Sequence, residues 1–351
     1  MMRIALLSVL LAMPVGAQSW EFDVTPASGW VDTGIDLNAG DSVQFTASGQ
    51  LQYSNAQQTS GPAGLPRAFT DALRALMVND AGRGALVARI GSSEAARALL
   101  VGESLTYKAP VGGRLFLAIN QSSFDQATGS YHVAIARTAA AVAPKSDVKV
   151  PAFPQSMIDA IPRRVVDAQG NPGDRVNFVL IGSQEQVQAA LKAAGWVVVD
   201  KTDKEAALSG FLSSVSKEAY VTMPMSKLQL WGRDQDFGYA QGDPLRVVAS
   251  RHHFRIWKAP MTLEGQTLWA GAGMHDVGFA RDARNNGVTH KIDPNSDNER
   301  DYIRDSLVQT GMVLKTDYIT PANPVTSAKT ATGSEFTSDG RTLLVYLAPG
   351  Q

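Results

Sequence analysis

Residues 251–257 read RHHFRIW: two imidazoles side by side, bracketed by two guanidiniums and closed by an indole. Four of the chain's five histidines, His252, His253, His275 and His290, fall in this one part of the sequence. Around them, within residues 233–301, stand Arg233, Asp234, Asp236, Arg251, Arg255, Asp276, Lys291, Asp293, Asp297 and Glu299. Imidazole beside carboxylate is the donor set of a zinc or iron site. It is equally the equipment of general acid–base chemistry near neutral pH. His252, His275, Asp276 and His290 are therefore the candidate catalytic residues, and His252, Asp276 and His290 the candidate metal ligands. Arg233, Arg251, His253, Arg255 and Lys291 form the candidate set for an anionic ligand, since guanidinium grips phosphoryl or carboxylate oxygens in pairs.

Strand alternation sharpens this. On VVASRHHFRIW, Ser250, His252, Phe254 and Ile256 point one way, and Arg251, His253, Arg255 and Trp257 the other. Neighbouring histidines on a regular strand cannot serve one metal, although a bulge would change that. A workable inward trio is His252, His275 or Asp276, and His290, each from a different strand. Competing with it is a plainer reading, in which each histidine is a hydrogen-bonded core residue. Asp297 and Glu299 then belong to a helix start, where carboxylates favour the dipole. Arg300 and Arg304 read as solvated helix pairs, and Arg251 and Arg255 as partners of Asp234 or Asp236. There is no H-E-x-x-H, Walker loop or G-x-S-x-G in the chain, so no established catalytic motif decides between them.

The elements that must position these residues are legible in outline. RVNFVLIG is a continuous apolar strand, and SQEQVQAALKAAGW a helix opened by the capping pair Ser183 and Gln186. KEAALSGFLSSVSKEAY predicts a second helix. KLQLWG, RVVASRHHFRIWKA, TLWAGAGMHDVGF and THKID predict strands. DNERDYIRDSLVQTG predicts a third helix, opened by Ser296 and Glu299 and closed by Gly311. The whole is an α+β domain with a mixed sheet over 161–351. Residues 18–137 alternate apolar and polar over many short runs, which predicts an all-β sandwich, jelly-roll-like, with FTDALRALM as its one helix. Residues 138–160, rich in Ala and Pro, read as a linker.

The bulk numbers bound the function. Lys and Arg number 32 against 33 Asp and Glu, so nothing general favours nucleic acid as a partner. Residues 1–17 combine Arg3, an apolar stretch and Val15-Gly16-Ala17, the pattern of a cleaved signal peptide. The expected location is periplasmic or secreted, with no membrane-spanning segment in the mature chain. Absence of cysteine removes thiolate nucleophiles and Cys-ligated zinc.

Two resemblances add expectations. WVDTGIDLNAGDSVQFTASGQLQY, GALVARIG, LTYKAPVGGRLFLAIN and GSYHVAI resemble, in order, the bacterial galactose-specific calcium lectins of the PA-I type. That resemblance implies a sandwich with calcium held near Tyr53, at Gln121 and at Gln126 and Ala127. Amide and methyl side chains at those places, where the lectins carry Asp and Asn, argue against calcium, with Asp125 as a partial substitute. From Ile161 on, DRVNFVLIGSQEQVQAALKAAGW, LWGRDQDFGYAQ, RHHFRIWKAP, LWAGAGMHDVGF, THKIDPNSDNERDYIRDSL and FTSDGR resemble the LssY C-terminal domain family, which implies no settled activity. The expected function is an exported envelope binding or accessory protein, its partner a glycan, a phosphorylated ligand or an envelope component. The alternative is an exported hydrolase, such as a metal-dependent phosphoesterase. Enzyme or binder stays open at this point, and a divalent metal in the second half is a candidate cofactor.

Overall fold

The computed structural model describes residues 18–66, 76–78, 80–122, 124–140, 150–199, 225–242, 250–281 and 288–349. Residues 1–17, expected to be a signal peptide, most of the helix expected over 69–77, the centre of the expected linker and the helix expected over 204–220 lie outside these residues.

Among the described residues, the first half is all β apart from one turn of 3-10 helix. Its strands are β1 (Gln18–Val24), β2 (Val31–Leu37), β3 (Ser42–Tyr53) and β4 (Leu86–Ile90). They continue with β5 (Leu99–Leu100), β6 (Ser104–Lys108), β7 (Gly113–Ile119) and β8 (Ala127–Thr138). They form two four-stranded sheets, β1-β8-β3-β6 and β2-β7-β4-β5. Period-two patterning drives the arrangement: β3 buries Val43, Phe45, Ala47, Leu51 and Tyr53 and exposes the residues between. These meet Ile35, Leu86, Leu115 and Leu117 of the other sheet in one shared core.

The second half is built on one mixed sheet. After α1 (Gln155–Ala160) come β9 (Arg164–Val166), β10 (Pro172–Arg175) and β11 (Phe178–Ile181). Next are α2 (Gln184–Ala193), β12 (Val197–Val198), β13 (Gln229–Leu230), β14 (Arg233–Asp234) and β15 (Phe237–Gly242). The long hairpin β16 (Arg251–Leu263) and β17 (Gln266–Arg281) leads into β18 (Val288–Ile292) and α3 (Ser296–Val308). The chain closes with β19 (Val313–Ile319), β20 (Ser327–Lys329), β21 (Glu335–Thr337) and β22 (Thr342–Leu347). The large sheet runs β12-β15-β16-β17-β11-β22-β19, with β18 also on β17. β11 and β22 are parallel, and the other pairs antiparallel.

Each face of this sheet carries its own core. On one, Phe254, Ile256 and Trp269 pack against Val187 and Leu191 of α2 and Ile303 and Leu307 of α3. On the other, Trp257, Leu268 and Ala270 pack against Ile158 of α1, Val165 of β9 and Leu230 of β13. The expected alternation along β16 is present, and both of its faces are enclosed: Arg251 to Trp257 are all buried.

The cap on α2 is as expected, with Ser183 N–H donating to Gln186 Oε1 at 2.7 Å and Gln186 N–H to Ser183 Oγ at 3.3 Å. The start of α3 differs. Its cap is Asn295, whose side chain accepts from Asp297 N–H at 3.1 Å, while the Ser296 hydroxyl donates to Thr337 O. Asp297 instead accepts from Ser338 Oγ, Asp339 N–H, Arg175 and Arg300. Arg300 is no solvated helix residue: it is 1% exposed and also bonds both oxygens of Asp339. THKIDPNSDNERDYIRDSL and FTSDGR are therefore halves of one ionic clamp that docks the end of the chain on α3.

Candidate functional site

The register of the hairpin places the chemistry. Arg251 lies opposite Asp276, His252 opposite His275, and His253 opposite Met274. Partners opposite one another share a face, so the histidines sort into two clusters with the sheet between them.

One cluster faces α3. That helix presents Glu299, Tyr302, Ile303, Ser306 and Leu307 at the spacing of a single face, and the sheet lets it come close through glycine. A Cβ on Gly273 would stand 2.6 Å from Ile303 Cδ1 and 3.3 Å from Glu299 Cγ. Asn177 fixes the same level: its side chain bonds Gly273 N–H and C=O at 3.0 Å each and reaches Ser296 O. Glycine in GAGMHDVG thus admits a helix; it does not cradle a phosphate.

His252 Nδ1 and Glu299 Oε2 share a 2.6 Å hydrogen bond, with Glu299 1% exposed. The His252 ring lies between two others, 3.6 Å from Tyr302 at 2° and 4.0 Å from His275 at 14°. His275 Nε2 meets the hydroxyl of Ser250, the residue before β16, at 2.7 Å. Burial pushes the Glu299 carboxyl well above the usual carboxylate range, against the opposing pull of His275 and His253.

The second cluster lies on the opposite face, around Asp276. His253 Nε2 stands 3.1 Å from Asp276 Oδ1, and Arg251 Nη2 3.4 Å and His290 Nδ1 3.7 Å from Oδ2. A register shift between Asp276 and Gly278 in the β17–β18 pairing brings His290 to this side. Burial works to raise the Asp276 carboxyl, but His253, Arg251 and His290 together hold it down to about 2. Burial also lowers the His290 imidazole, in spite of Asp276.

The trio His252, Asp276 and His290 is therefore divided: His252 goes with His275, and Asp276 with His290. The anion set is dispersed as well. Arg251 is bound to Asp276, not to Asp234 or Asp236, and Arg255 lies 3.6 Å from Asp174 and donates to Ser226 O. Arg233 pairs with Asp236 at 2.9 Å at the far end of β16, beside Lys258. Lys291 is exposed on β18. Sequence reasoning missed Glu299 as a site residue, along with Tyr302 and Ser250. The signal that reveals Glu299 is its place three and four residues before Tyr302 and Ile303, on the helix face that packs on the sheet.

In the first half, the residues matched to the lectin site engage one another. Arg83 Nη1 donates to Asp125 Oδ1 at 3.0 Å and to Asn55 Oδ1 at 2.8 Å, its guanidinium 4.3 Å over the Tyr53 ring. Asp125 Oδ2 accepts from Ser122 N–H and hydroxyl at 2.9 Å each. The Tyr53 hydroxyl donates to Gln121 Oε1, whose amide donates to Pro26 O.

Comparison with known proteins gives two findings. A family model described as LssY C-terminus matches residues 158–342, just over half of the chain. Among solved structures, one titled EclA N-terminal domain, PllA-like lectin is similar at 22% identity, over 34% of this chain and 96% of that one, with a TM-score of 0.27. At that score the likeness carries no argument here. No curated protein matches the chain.

Proposed function

The chain belongs to the LssY C-terminus family, and we propose that it is an exported envelope binding or accessory protein whose binding centre is the His252–His275–Glu299 cluster. One observation carries this reading. Polar side chains from the start of β16, from β17 and from α3 converge inside an otherwise apolar interface, with a desolvated carboxyl at their middle. Burying such a group destabilises the fold by several kcal/mol unless it is fully paired, so its retention points to a ligand. The Asp276 cluster is less suited, because its charges are already matched within the protein.

In this reading the first half is a sandwich that works without calcium. Its one buried acid near the lectin position, Asp125, already holds a fixed cation, Arg83, and Gln121 brings no charge and Ala127 no oxygen where the lectins carry Asp and Asn. Among the described residues no helix is long and apolar enough to cross a membrane.

Native mass spectrometry of protein exported to the periplasm tests both parts. The expected chain starts at Gln18 and carries a non-covalent adduct that is lost in Glu299→Gln. A chain still starting at Met1 defeats export; a bare wild-type chain defeats the binding centre. The hydrolase alternative has its own observation, the Ser250 hydroxyl 2.7 Å from His275 Nε2, placed to give up its proton. It requires turnover of a phosphoester such as p-nitrophenyl phosphate that disappears in Ser250→Ala.

A further inference from the structure

The class of ligand follows from the same centre and rests on the reading above. One ligand atom each of His252, His275 and Glu299 lie within 4.8 Å of one another. Independently, Glu299 Oε1 is buried and has no hydrogen-bond partner among the described residues. An orphaned buried acceptor costs about 1–3 kcal/mol, and more when charged. A cation at the centre would supply what that oxygen lacks.

We propose that His252, His275 and Glu299 form a site for one divalent transition-metal ion of the zinc class. Two imidazoles and one carboxylate are borderline donors that suit zinc, iron, manganese or nickel; calcium and magnesium take oxygen shells. One anionic carboxylate and two neutral imidazoles leave a bound dication with a net single positive charge. Three protein ligands also leave a coordination position open for water or a further ligand.

The geometry says how the site closes. Imidazole lone pairs lie in the ring plane, so rings stacked at 4.0 Å and 14° point theirs side by side and not at one ion. One ring must turn. His252 is held between Tyr302 and His275 and tied to Glu299, whereas His275 is half-buried and its Nε2 is engaged by Ser250. His275 is the ring that turns, and metal entry breaks its bond to Ser250. A tetrahedral ion with bonds of about 2.1 Å sets its donors about 3.4 Å apart, a contraction of up to about 1.4 Å that side-chain rotation supplies.

The test is titration of chelator-stripped mature protein with zinc chloride and, separately, cobalt chloride, followed by calorimetry and by the visible absorption of tetrahedral cobalt. The expected result is one equivalent bound, with affinity lowered about tenfold or more, or about 1.4 kcal/mol, in Glu299→Gln and in His275→Gln. Ser250→Ala, which removes the competitor for His275, binds at least as tightly as wild type. His253→Gln, on the opposite face of the sheet, binds as wild type does. Circular dichroism melting establishes that each variant is folded. Should Glu299→Gln unfold, the half-buried His275→Gln decides. Failure of wild type to bind either ion overturns the proposal, as does undiminished binding in His275→Gln. An organic adduct lost in Glu299→Gln together with no binding of zinc or cobalt overturns the metal and keeps the binding centre. No adduct and no metal overturns both.

Discussion

At the scale of single residues, Glu299 and Asp276 are two buried acids about one sheet, and their surroundings drive them apart. Glu299 faces a helix-packed apolar core and is pushed up by burial. Asp276, 2% exposed, faces Arg251 and His253 from β16 and His290 from β18, and is held down to about 2. A carboxyl whose folded value lies below its unfolded value of 3.8 contributes stability above about pH 4 and loses it as pH falls towards about 2. The size is about 2 kcal/mol at neutral pH. Urea unfolding of Asp276→Asn should accordingly show a lower midpoint at pH 7 and a much flatter fall between about pH 4 and about pH 2; a wild-type slope in the variant would contradict the assignment. Asp276 was legible as a site residue because it adjoins His275. Glu299 was not, because an acid three residues after Ser296 satisfies the helix-start rule just as well, and sequence alone does not reveal that Asn295 is the cap.

At the scale of elements, alternation along β16 was readable and fixes which residues share a face. Which strand lies beside it was not, since register depends on pairing across the hairpin and on the bulge in the β17–β18 pairing. That is why the sequence groups His290 with both His252 and Asp276, whereas the fold leaves it with Asp276. Two glycines of β17 show the same limit: alternation along the strand does not reveal that they are sites of close packing. Gly271 makes room for the Phe178 ring, whose Cζ would lie 2.1 Å from a Cβ, and Gly273 makes room for Ile303. Gly273→Ala must lift α3 or turn Ile303. Overpacking of this kind costs about 1–3 kcal/mol. It also draws Glu299 away from His252, so this variant should lose stability and metal affinity together. Ile303→Val, which shortens the side chain in the way, should restore part of both. A Gly273→Ala protein with wild-type melting and wild-type zinc affinity would show that α3 does not depend on this glycine.

At the scale of the whole molecule, the change of texture from short alternating strands to a strand, helix and long-hairpin pattern was plain in the sequence. The meeting of the halves was not, because among the described residues it involves groups far apart in the chain. Ser93, after β4, donates to Asp305 of α3 at 2.9 Å, and Arg97 donates to Ala193 O at the end of α2 at 2.9 Å. Arg97 sits over Gly195, where a Cβ would come within 2.8 Å of its guanidinium, and Gly311 comes under Pro110 O in the same way. A guanidinium at a helix C-terminus is favoured by the dipole, and both helices touched pack on the sheet face that carries the candidate site. Polar contacts of this kind couple two cores only weakly. Ser93→Ala with Arg97→Ala should therefore leave the fold of each half intact and separate one calorimetric transition into two, the second-half transition alone rising when zinc is added. A single transition that keeps its wild-type midpoint would show that these two side chains do not join the halves. A zinc response in the first-half transition would place the metal away from His252, His275 and Glu299.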